Sequence, residues 1–242
     1  MYSQKLKQVV KDYIEDFNAK KDLPCVVKGS LPIPWYGSLD AYFASDVRVV
    51  TMTPNPVAEE FAEERFAPVD LSDAARAVDP LINSLNAYFT KNPNLGYFDH
   101  YEKVLQSIGC SYFEGEALNN AVQINVFSDI ATSFVWNQLD PDDQKKLINI
   151  TLFKRMINEL DPDIMLFSIH QDVFDMLFGD WEPLELCQIG KVGYVNAYMR
   201  GGRLIINGRN FIGAPFGGMK AEEVHKAIIK ILKKFQASLE RA

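Results

Sequence analysis

Apolar residues recur at helical spacing in several parts of the chain. Leu6, Val9, Tyr13 and Phe17 lie on one face of a helix that Ser3 can cap, which predicts a helix over residues 3–20. The same reasoning predicts helices over 72–90 with a break near Pro80, 99–108, 140–160 and 221–240. Amphipathic helices of this kind need a common core against which to bury their apolar faces.

Short apolar runs alternate with these helices. The strands that we expect span residues 47–52, 121–126, 164–169, 204–206 and 211–212, with Gly201-Gly202 as a turn ahead of the fourth. Strands and helices that alternate in this way indicate an α/β fold, in which helices cover both faces of a parallel sheet.

Length and composition fit a single globular domain. The chain has 242 residues, of which 48% are hydrophobic and 24% are charged, so it can bury a sizeable core, and disorder is excluded. No Pro-, Gly- or Ser-rich linker divides it. We therefore predict one domain over residues 1–242, with 1–30 as an N-terminal helical extension.

Neither a membrane segment nor a disulfide framework is expected. No apolar run approaches the ~20 residues that span a bilayer, and the N-terminus has no signal-peptide pattern, which predicts a cytoplasmic protein without a membrane partner. Cys25, Cys110 and Cys187 are too few and too far apart for paired disulfides or for a zinc or iron–sulfur site. We expect them to be reduced and mostly buried.

Charge is unevenly distributed along the chain. Residues 1–185 hold 15 Lys and Arg against 29 Asp and Glu, whereas residues 186–242 hold ten against three. Arg200, Arg203 and Arg209 lie in a stretch without acidic residues, which could follow a phosphate backbone. The alternative is that this basic segment merely offsets the acidic remainder.

Asn55 lies between Pro54 and Pro56, directly after the first predicted strand. Ligands of open parallel sheets bind beyond the carboxyl ends of the strands, and flanking prolines can hold an amide in one direction. Asn55 could therefore orient a water molecule or the edge of a base. The alternative is a proline-rich turn in which Asn55 accepts a local hydrogen bond.

Asn125 lies within the second apolar strand, where an amide is costly to bury unless its hydrogen bonds are made. Its adjacent donor and acceptor match the edge of a pyrimidine. The alternative is a structural Asn bonded to a neighbouring loop.

A glycine-rich loop precedes the last predicted helix. Its backbone and the following helix N-terminus could hold a phosphate, although the loop matches neither a P-loop nor the dinucleotide-binding fingerprint. Its candidate DNA-binding residues are Gly213, Ala214, Pro215, Gly217 and Gly218.

These three places, in this order, resemble the motifs of the uracil-DNA glycosylase superfamily from about Pro32 to the end of the chain. The segment 49–56 is similar to the strand and Gly-x-Asn-Pro motif of its thymine-DNA and single-strand-selective branches. The resemblance implies a three-layer α/β/α sandwich around a mainly parallel, four-stranded sheet. It also implies that Asn55 positions the attacking water and that Asn125 reads the flipped pyrimidine.

The chain departs from that pattern at two positions. Thr53 replaces the usual glycine of the first motif, and Ala214 occurs where many relatives have a histidine. Loss of that histidine would remove a transition-state hydrogen bond often worth ~3 kcal/mol. The thymine-DNA branch also lacks it, whereas the iron–sulfur branches are excluded because their four cysteines are missing.

Three further residues are candidates for contacts with the base. Phe61 and Phe66 could stack on an extruded base, and His170, just past the strand over 164–169, could contact it. Each phenylalanine has the alternative role of an ordinary core residue.

The resulting prediction is a monofunctional DNA glycosylase that removes uracil or a modified pyrimidine and acts in base excision repair. Because neutral amides carry the chemistry, we expect neither a metal nor an organic cofactor, and we expect a monomer. In the superfamily that the chain resembles, strict uracil enzymes have a Tyr after the first-motif Pro that excludes a C5 substituent, whereas here Val57 and Ala58 follow Pro56. The resemblance therefore implies more room near C5, and a C5-modified cytosine of phage DNA, removed in antiviral defence, is an alternative substrate. The same residues also fit a catalytically silent DNA-binding protein or a nucleotide-binding enzyme that does not act on DNA.

Overall fold

The protein was analysed as a computed structural model. The structure describes residues 2–191, 193–210 and 219–240, apart from the side chains of Tyr97, Asn210 and Ala221. Within these ranges the chain forms eight α-helices and eight β-strands, so the fold is mixed α/β. The helices are α1 Gln4–Lys20, α2 Leu39–Ala44, α3 Ala74–Asn86, α4 Leu95–Gln106, α5 Pro141–Leu147, α6 Ile150–Leu160, α7 Gln171–Phe178 and α8 Ala221–Leu239. The strands are β1 Trp35–Tyr36, β2 Val49–Thr53, β3 Cys110–Ser111, β4 Asn119–Asn125, β5 Ile164–Phe167, β6 Glu182–Ile189, β7 Gly193–Arg200 and β8 Arg203–Asn210.

Contacts within the chain define two compact units, which are described separately. The first unit consists of Met1–Asp40, Thr53–Asn94 and Val122–Asp161. The second consists of Ala41–Met52, Leu95–Ala121 and Pro162–Ala242.

The second unit is built on a mixed sheet. Its strand order is β4-β2-β5-β8-β7-β6, with β3 paired to β4; β2 contributes Val49–Met52 and β4 contributes Asn119–Ala121. Strands β2, β5 and β8 are parallel, and β8, β7 and β6 form an antiparallel meander. The central strands are mostly apolar and buried, as is typical of a sheet covered on both faces. Helix α8 packs on β6 and β7.

The expected four-stranded, mainly parallel sheet is wrong in strand number. Strand β6 was missed because its sequence contains Glu182, Pro183 and Glu185 rather than an apolar run. It pairs only with β7 among the described strands, so charges and proline can face solvent there. The antiparallel meander therefore extends the sheet beyond the parallel strands that apolar patterning predicted.

The first unit contains α1, α3 and α6 packed together, with β1 antiparallel to the end of β4. The predicted α1 and its cap are confirmed, because the Ser3 hydroxyl accepts a hydrogen bond from Leu6 N at 2.9 Å. The buried face of α1 includes Val10 and Ile14, which are fully covered. Helix α1 is therefore part of the core of this unit.

Two helix predictions are corrected in detail. The predicted helix over 140–160 is two helices, because Asn149 leaves the helical conformation and caps α6 by accepting a hydrogen bond from Leu152 N. Helix α3 continues through Pro80 instead of breaking there. Pro80 and Arg76 are both exposed, so water can hydrate the Arg76 carbonyl that proline leaves without a donor.

Candidate functional site

The segments that follow β2 and β4 run side by side in the first unit. Val126 N donates to Thr53 O at 2.8 Å, and Phe127 N donates to Pro54 O at 3.0 Å. Further along, Thr132 N donates to Pro56 O at 3.4 Å. These bonds continue the pairing of the two strands past their ends, which brings the segment containing Asn55 next to the segment that begins at Asn125.

The amide of Asn55 is held from two sides. Its Nδ2 donates to Pro56 O and to Thr132 Oγ1, each at 2.8 Å. The Thr132 hydroxyl gives its own proton to Phe134 O at 2.7 Å, so it can only accept from Asn55. Both amide hydrogens are therefore committed, and no donor to Oδ1 is found among the residues that the structure describes.

Asn125 is anchored at both ends of its amide. Its Nδ2 donates to Ile33 O at 3.0 Å, and its Oδ1 accepts from Thr53 Oγ1 at 3.1 Å. Thr53 in turn accepts from Gln123 Nε2 at 3.2 Å. The threonine in the place of the motif glycine therefore has a defined role here, which is to orient Asn125.

The segments that carry Asn55 and Asn125 lie side by side, and both residues are nearly buried. Their side-chain amides bond to different partners, and the residues are only 3% and 5% exposed. A nucleotide could reach these amides only after the residues that cover them move. The internal bonds of Asn125 also match its alternative interpretation as a structural residue.

Phe61 and Phe66 lie in the same unit, on the segment that follows Asn55. Their rings stack with centroids 5.3 Å apart and an interplanar angle of 28°. The ring centroids of Phe66 and Tyr88 are also 5.3 Å apart. Both phenylalanines are half-buried, so each packs against the core on one side and leaves ring surface on the other.

A buried carboxyl group adjoins this aromatic cluster. Glu60 is fully buried and accepts hydrogen bonds from Tyr88 Oη at 2.5 Å and Asn94 Nδ2 at 3.1 Å. Burial raises the pKa of Glu60, while the two donors oppose that shift. The donors therefore partly compensate for the loss of water around Glu60.

The remaining described candidates belong to the second unit. His170 is exposed, with Nδ1 3.7 Å from an Asp172 carboxylate oxygen. Arg200 forms an ion pair with Asp180, and Arg200 and Arg203 face each other across the β7–β8 turn. Arg209 lies near the other end of β8, opposite Tyr194. The three arginines are therefore spread along the hairpin rather than gathered at one point.

The glycine-rich loop lies outside the described residues. This applies to Gly213, Ala214, Pro215, Gly217 and Gly218, and also to the predicted strand over 211–212. Their predicted roles stay predictions.

Sequence reasoning missed Thr132, Ile33 and Asp129. Thr132 and Ile33 hold the two asparagines, and Ile33 N donates to Asp129 O at 2.8 Å. Burial, and then the charge of Asp16, raises the pKa of Asp129 to about 8. The signal for Asp129 was an acidic residue within the apolar stretch 126–131, whereas no local pattern marks Thr132 or Ile33.

No group of three or more His, Cys, Asp or Glu side chains within residues 2–191, 193–210 and 219–240 is arranged to hold a metal ion. In the same part of the chain, no helix has the length and apolar character needed to cross a membrane. No model of a known protein family matches the chain, and no curated protein matches it at a significant level.

Proposed function

We propose that the protein is a monofunctional DNA glycosylase, which hydrolyses the N-glycosidic bond of an extruded uracil or modified pyrimidine. The observation that carries the proposal is the fixed amide of Asn55. Because Pro56 O and Thr132 Oγ1 take both amide hydrogens, Oδ1 is the atom left to accept a proton donor. A carbonyl oxygen held in one direction is suited to orient a water molecule.

In the proposed reaction, Asn55 Oδ1 accepts a hydrogen bond from the attacking water and directs its oxygen at C1′ of the sugar. The water oxygen bonds to C1′ while the C1′–N bond breaks. The electron pair of the C1′–N bond goes to the base nitrogen. One water proton passes to solvent or to the departing base. Asn55 orients the water and takes no proton itself, since an amide is a poor base.

Asn125 is proposed to recognise the base. Each of its amide atoms makes one internal bond, so Nδ2 has a second hydrogen and Oδ1 a second lone pair. Those two groups match the adjacent acceptor and donor of a pyrimidine edge. The bonds to Ile33 and Thr53 would hold the amide in the orientation needed for that contact.

The aromatic pair supports a stacking role. Phe61 and Phe66 are stacked and half-buried, on the segment that begins six residues after Asn55. Stacking on an aromatic ring is worth ~1–3 kcal/mol per base and tolerates different bases. Val57 and Ala58 are small, so the proposal includes pyrimidines with a substituent at C5.

An apolar projection next to Asn55 fits the need to open a duplex. Phe134 and Val135 are 60% and 49% exposed, and Phe134 O is bonded to the same Thr132 that holds Asn55. Apolar side chains of this kind can enter between base steps and unstack them. This pair is therefore proposed to occupy the space that an extruded nucleotide vacates.

A catalytically silent DNA-binding protein is the second candidate. It is favoured by the burial of Asn55 and Asn125 and by the internal bonds of Asn125. This candidate predicts DNA binding without release of any base.

The test is a base-release assay on single- and double-stranded oligonucleotides that contain uracil, a T·G mismatch, 5-hydroxymethylcytosine or its glucosylated form. Abasic sites are detected by cleavage in hot alkali. The wild type should cleave at least one substrate, and Asn55→Ala should lower the rate about 100-fold with DNA binding retained. The exposed Asn158→Ala is the matched control and should keep full activity.

Two results would redirect the proposal. DNA binding with no abasic site on any substrate supports the silent protein and rejects the enzyme. If Asn55→Ala and the wild type are equally active, Asn55 does not orient the attacking water. Thermal unfolding of Asn55→Ala shows whether lost activity reflects lost folding.

A further inference from the structure

A cavity in the first unit has no role in the proposed reaction. It has a volume of about 630 Å³ and is formed by the end of α1, the loop that follows it, and residues 69 and 71. Neither Asn55 nor Asn125 lines it. Its volume lies within the range of cavities that bind small molecules.

One wall of the cavity is apolar and firmly packed. It is lined by Phe17 and Val26, which belong to a buried hydrophobic cluster that contains Trp136, and by Leu23 and Leu71, which pack against that cluster. Since these side chains are fixed from behind by that cluster, the wall is formed before any ligand arrives. It offers a surface for an aliphatic or aromatic body.

Two lysines at the same cavity have no acidic partner among the described residues. Lys21 Nζ donates to the neutral amide of Asn18 at 3.2 Å, and neither Lys21 nor Lys28 forms an ion pair in the part of the chain that the structure describes. By contrast, the neighbouring Lys20 is paired with Asp16 at 2.8 Å. Asp22 also lines the cavity, which leaves the lining with one net positive charge in a chain of net charge −7.

A buried hydroxyl in the lining also has no partner. Ser30 is 7% exposed, and its Oγ makes no hydrogen bond to any described residue. It follows Lys28 in a turn closed by Ser30 N donating to Val27 O at 3.2 Å, with Gly29 at φ +75°. Buried hydroxyls are almost always bonded, so an unpartnered one in a lining that also contains Lys21 and Lys28 points to an acceptor from outside the chain.

We propose that this cavity binds a small amphipathic carboxylate. The apolar body lies along the wall formed by Phe17, Val26 and Leu71. The carboxylate accepts hydrogen bonds from the ammonium groups of Lys21 and Lys28 and from the Ser30 hydroxyl. An anionic head group is favoured because it neutralises the net positive charge of the cavity lining. A cationic head group would be repelled by that charge.

Isothermal titration calorimetry on the full-length protein tests the proposal, with decanoate as the probe. Decanoate should bind one site saturably, and decanol and decylammonium should bind at least about tenfold more weakly. Lys21→Gln combined with Lys28→Gln should weaken decanoate about tenfold, and Ser30→Ala should weaken it a few-fold. Lys5→Gln with Lys154→Gln is the matched control, since both are exposed lysines without an ion pair among the described residues.

Failure to saturate with decanoate overturns the proposal. Equal binding of decanoate, decanol and decylammonium also overturns it, because it shows only apolar association. The same loss of affinity in the control double variant rejects a role for Lys21 and Lys28. Thermal unfolding of each variant shows that its fold is intact, and none of these measurements depends on glycosylase activity.

Discussion

Asp129 is the most unusual single residue in the structure. It is 3% exposed, and neither of its carboxylate oxygens has a hydrogen-bond partner among the described residues. An unperturbed aspartate ionises near pH 4, whereas burial and the nearby Asp16 raise the pKa of Asp129 to about 8. The folded protein therefore holds this group in its neutral form at neutral pH.

Replacing Asp129 should make the protein more stable at neutral and alkaline pH. Between about pH 4 and pH 8 the unfolded chain has lost this proton and the folded protein has kept it, so the free energy of unfolding falls as pH rises. Asp129→Asn cannot ionise, so its gain in stability over wild type should be near zero at pH 4 and grow by roughly 1.4 kcal/mol per pH unit, to about 4 kcal/mol at pH 7. Urea unfolding at a series of pH values measures this difference.

The exposed Asp142→Asn serves as the control and should leave the pH profile unchanged. A wild-type stability that stays flat between pH 5 and pH 9 would show that Asp129 ionises normally in the folded protein.

Thr132 is predicted to act as a positioning residue for Asn55. Thr132→Val keeps the shape of the side chain but removes the acceptor for Asn55 Nδ2, so the amide loses one of its two anchors. Base release should fall about tenfold, with kcat more affected than KM, because water is oriented in the bound complex. Thr132→Ser retains the hydroxyl and should restore most of the rate. If Ser and Val variants are equally slow, the methyl packing of Thr132 matters and its hydrogen bond does not.

At the scale of elements, the β7–β8 turn is the connection whose chemistry is best defined. Gly201 and Gly202 have φ values of +55° and +75°, and Arg200 pairs with Arg203 across them. Positive φ at both central residues is the geometry of a two-residue hairpin turn that matches strand twist. This is why the Gly-Gly signal correctly predicted the turn.

Substitutions at Gly201 should separate backbone strain from loss of space. Nothing lies within 4 Å of a side-chain carbon added there, so any cost comes from the positive φ. Gly201→Val should lower the free energy of unfolding by ~1–3 kcal/mol, whereas Gly201→Asn should cost less because asparagine tolerates this conformation. Chemical denaturation of the two variants provides the comparison. An equal loss for both would mean that the turn adopts another conformation in solution.

Elements were predictable where their pattern is local. Helix α1, strand β5 and helix α8 follow from periodicity, apolar runs and flanking polar residues. Strand β6 was not predictable from its own sequence, since its stability comes from pairing with β7 and packing under α8 rather than from an apolar run. The gap between α5 and α6 was also missed, because the apolar spacing continues across the capping residue Asn149.

At the scale of the whole molecule, charge limits how DNA could be bound. The net charge is −7, and the basic excess is confined to residues 186–242. Part of that excess is already neutralised, since Lys230 and Lys234 both contact Glu185 at 3.2–3.3 Å, and Arg200 pairs with Asp180. Binding of DNA by this chain should therefore involve few phosphate contacts.

The salt dependence of DNA binding tests the arginines directly. Each phosphate contact contributes about −0.9 to the slope of log K against log salt concentration. Arg203→Ala with Arg209→Ala should therefore make the slope less steep by about 2, as measured by fluorescence anisotropy of a labelled oligonucleotide. The control Lys154→Ala, in the first unit, should leave the slope unchanged. A double variant with the wild-type slope would place the phosphate contacts elsewhere.

The sequence by itself determined the α/β class, most of the helices and the parallel strands, because these depend on short-range periodicity and on apolar runs. Only the tertiary structure decided what Asn55 and Asn125 bond to. Thr132 is 77 residues from Asn55, and Ile33 is 92 residues from Asn125. The burial of both amides and of the Asp129 carboxyl likewise arises from contacts between distant segments, which no local pattern of residues encodes.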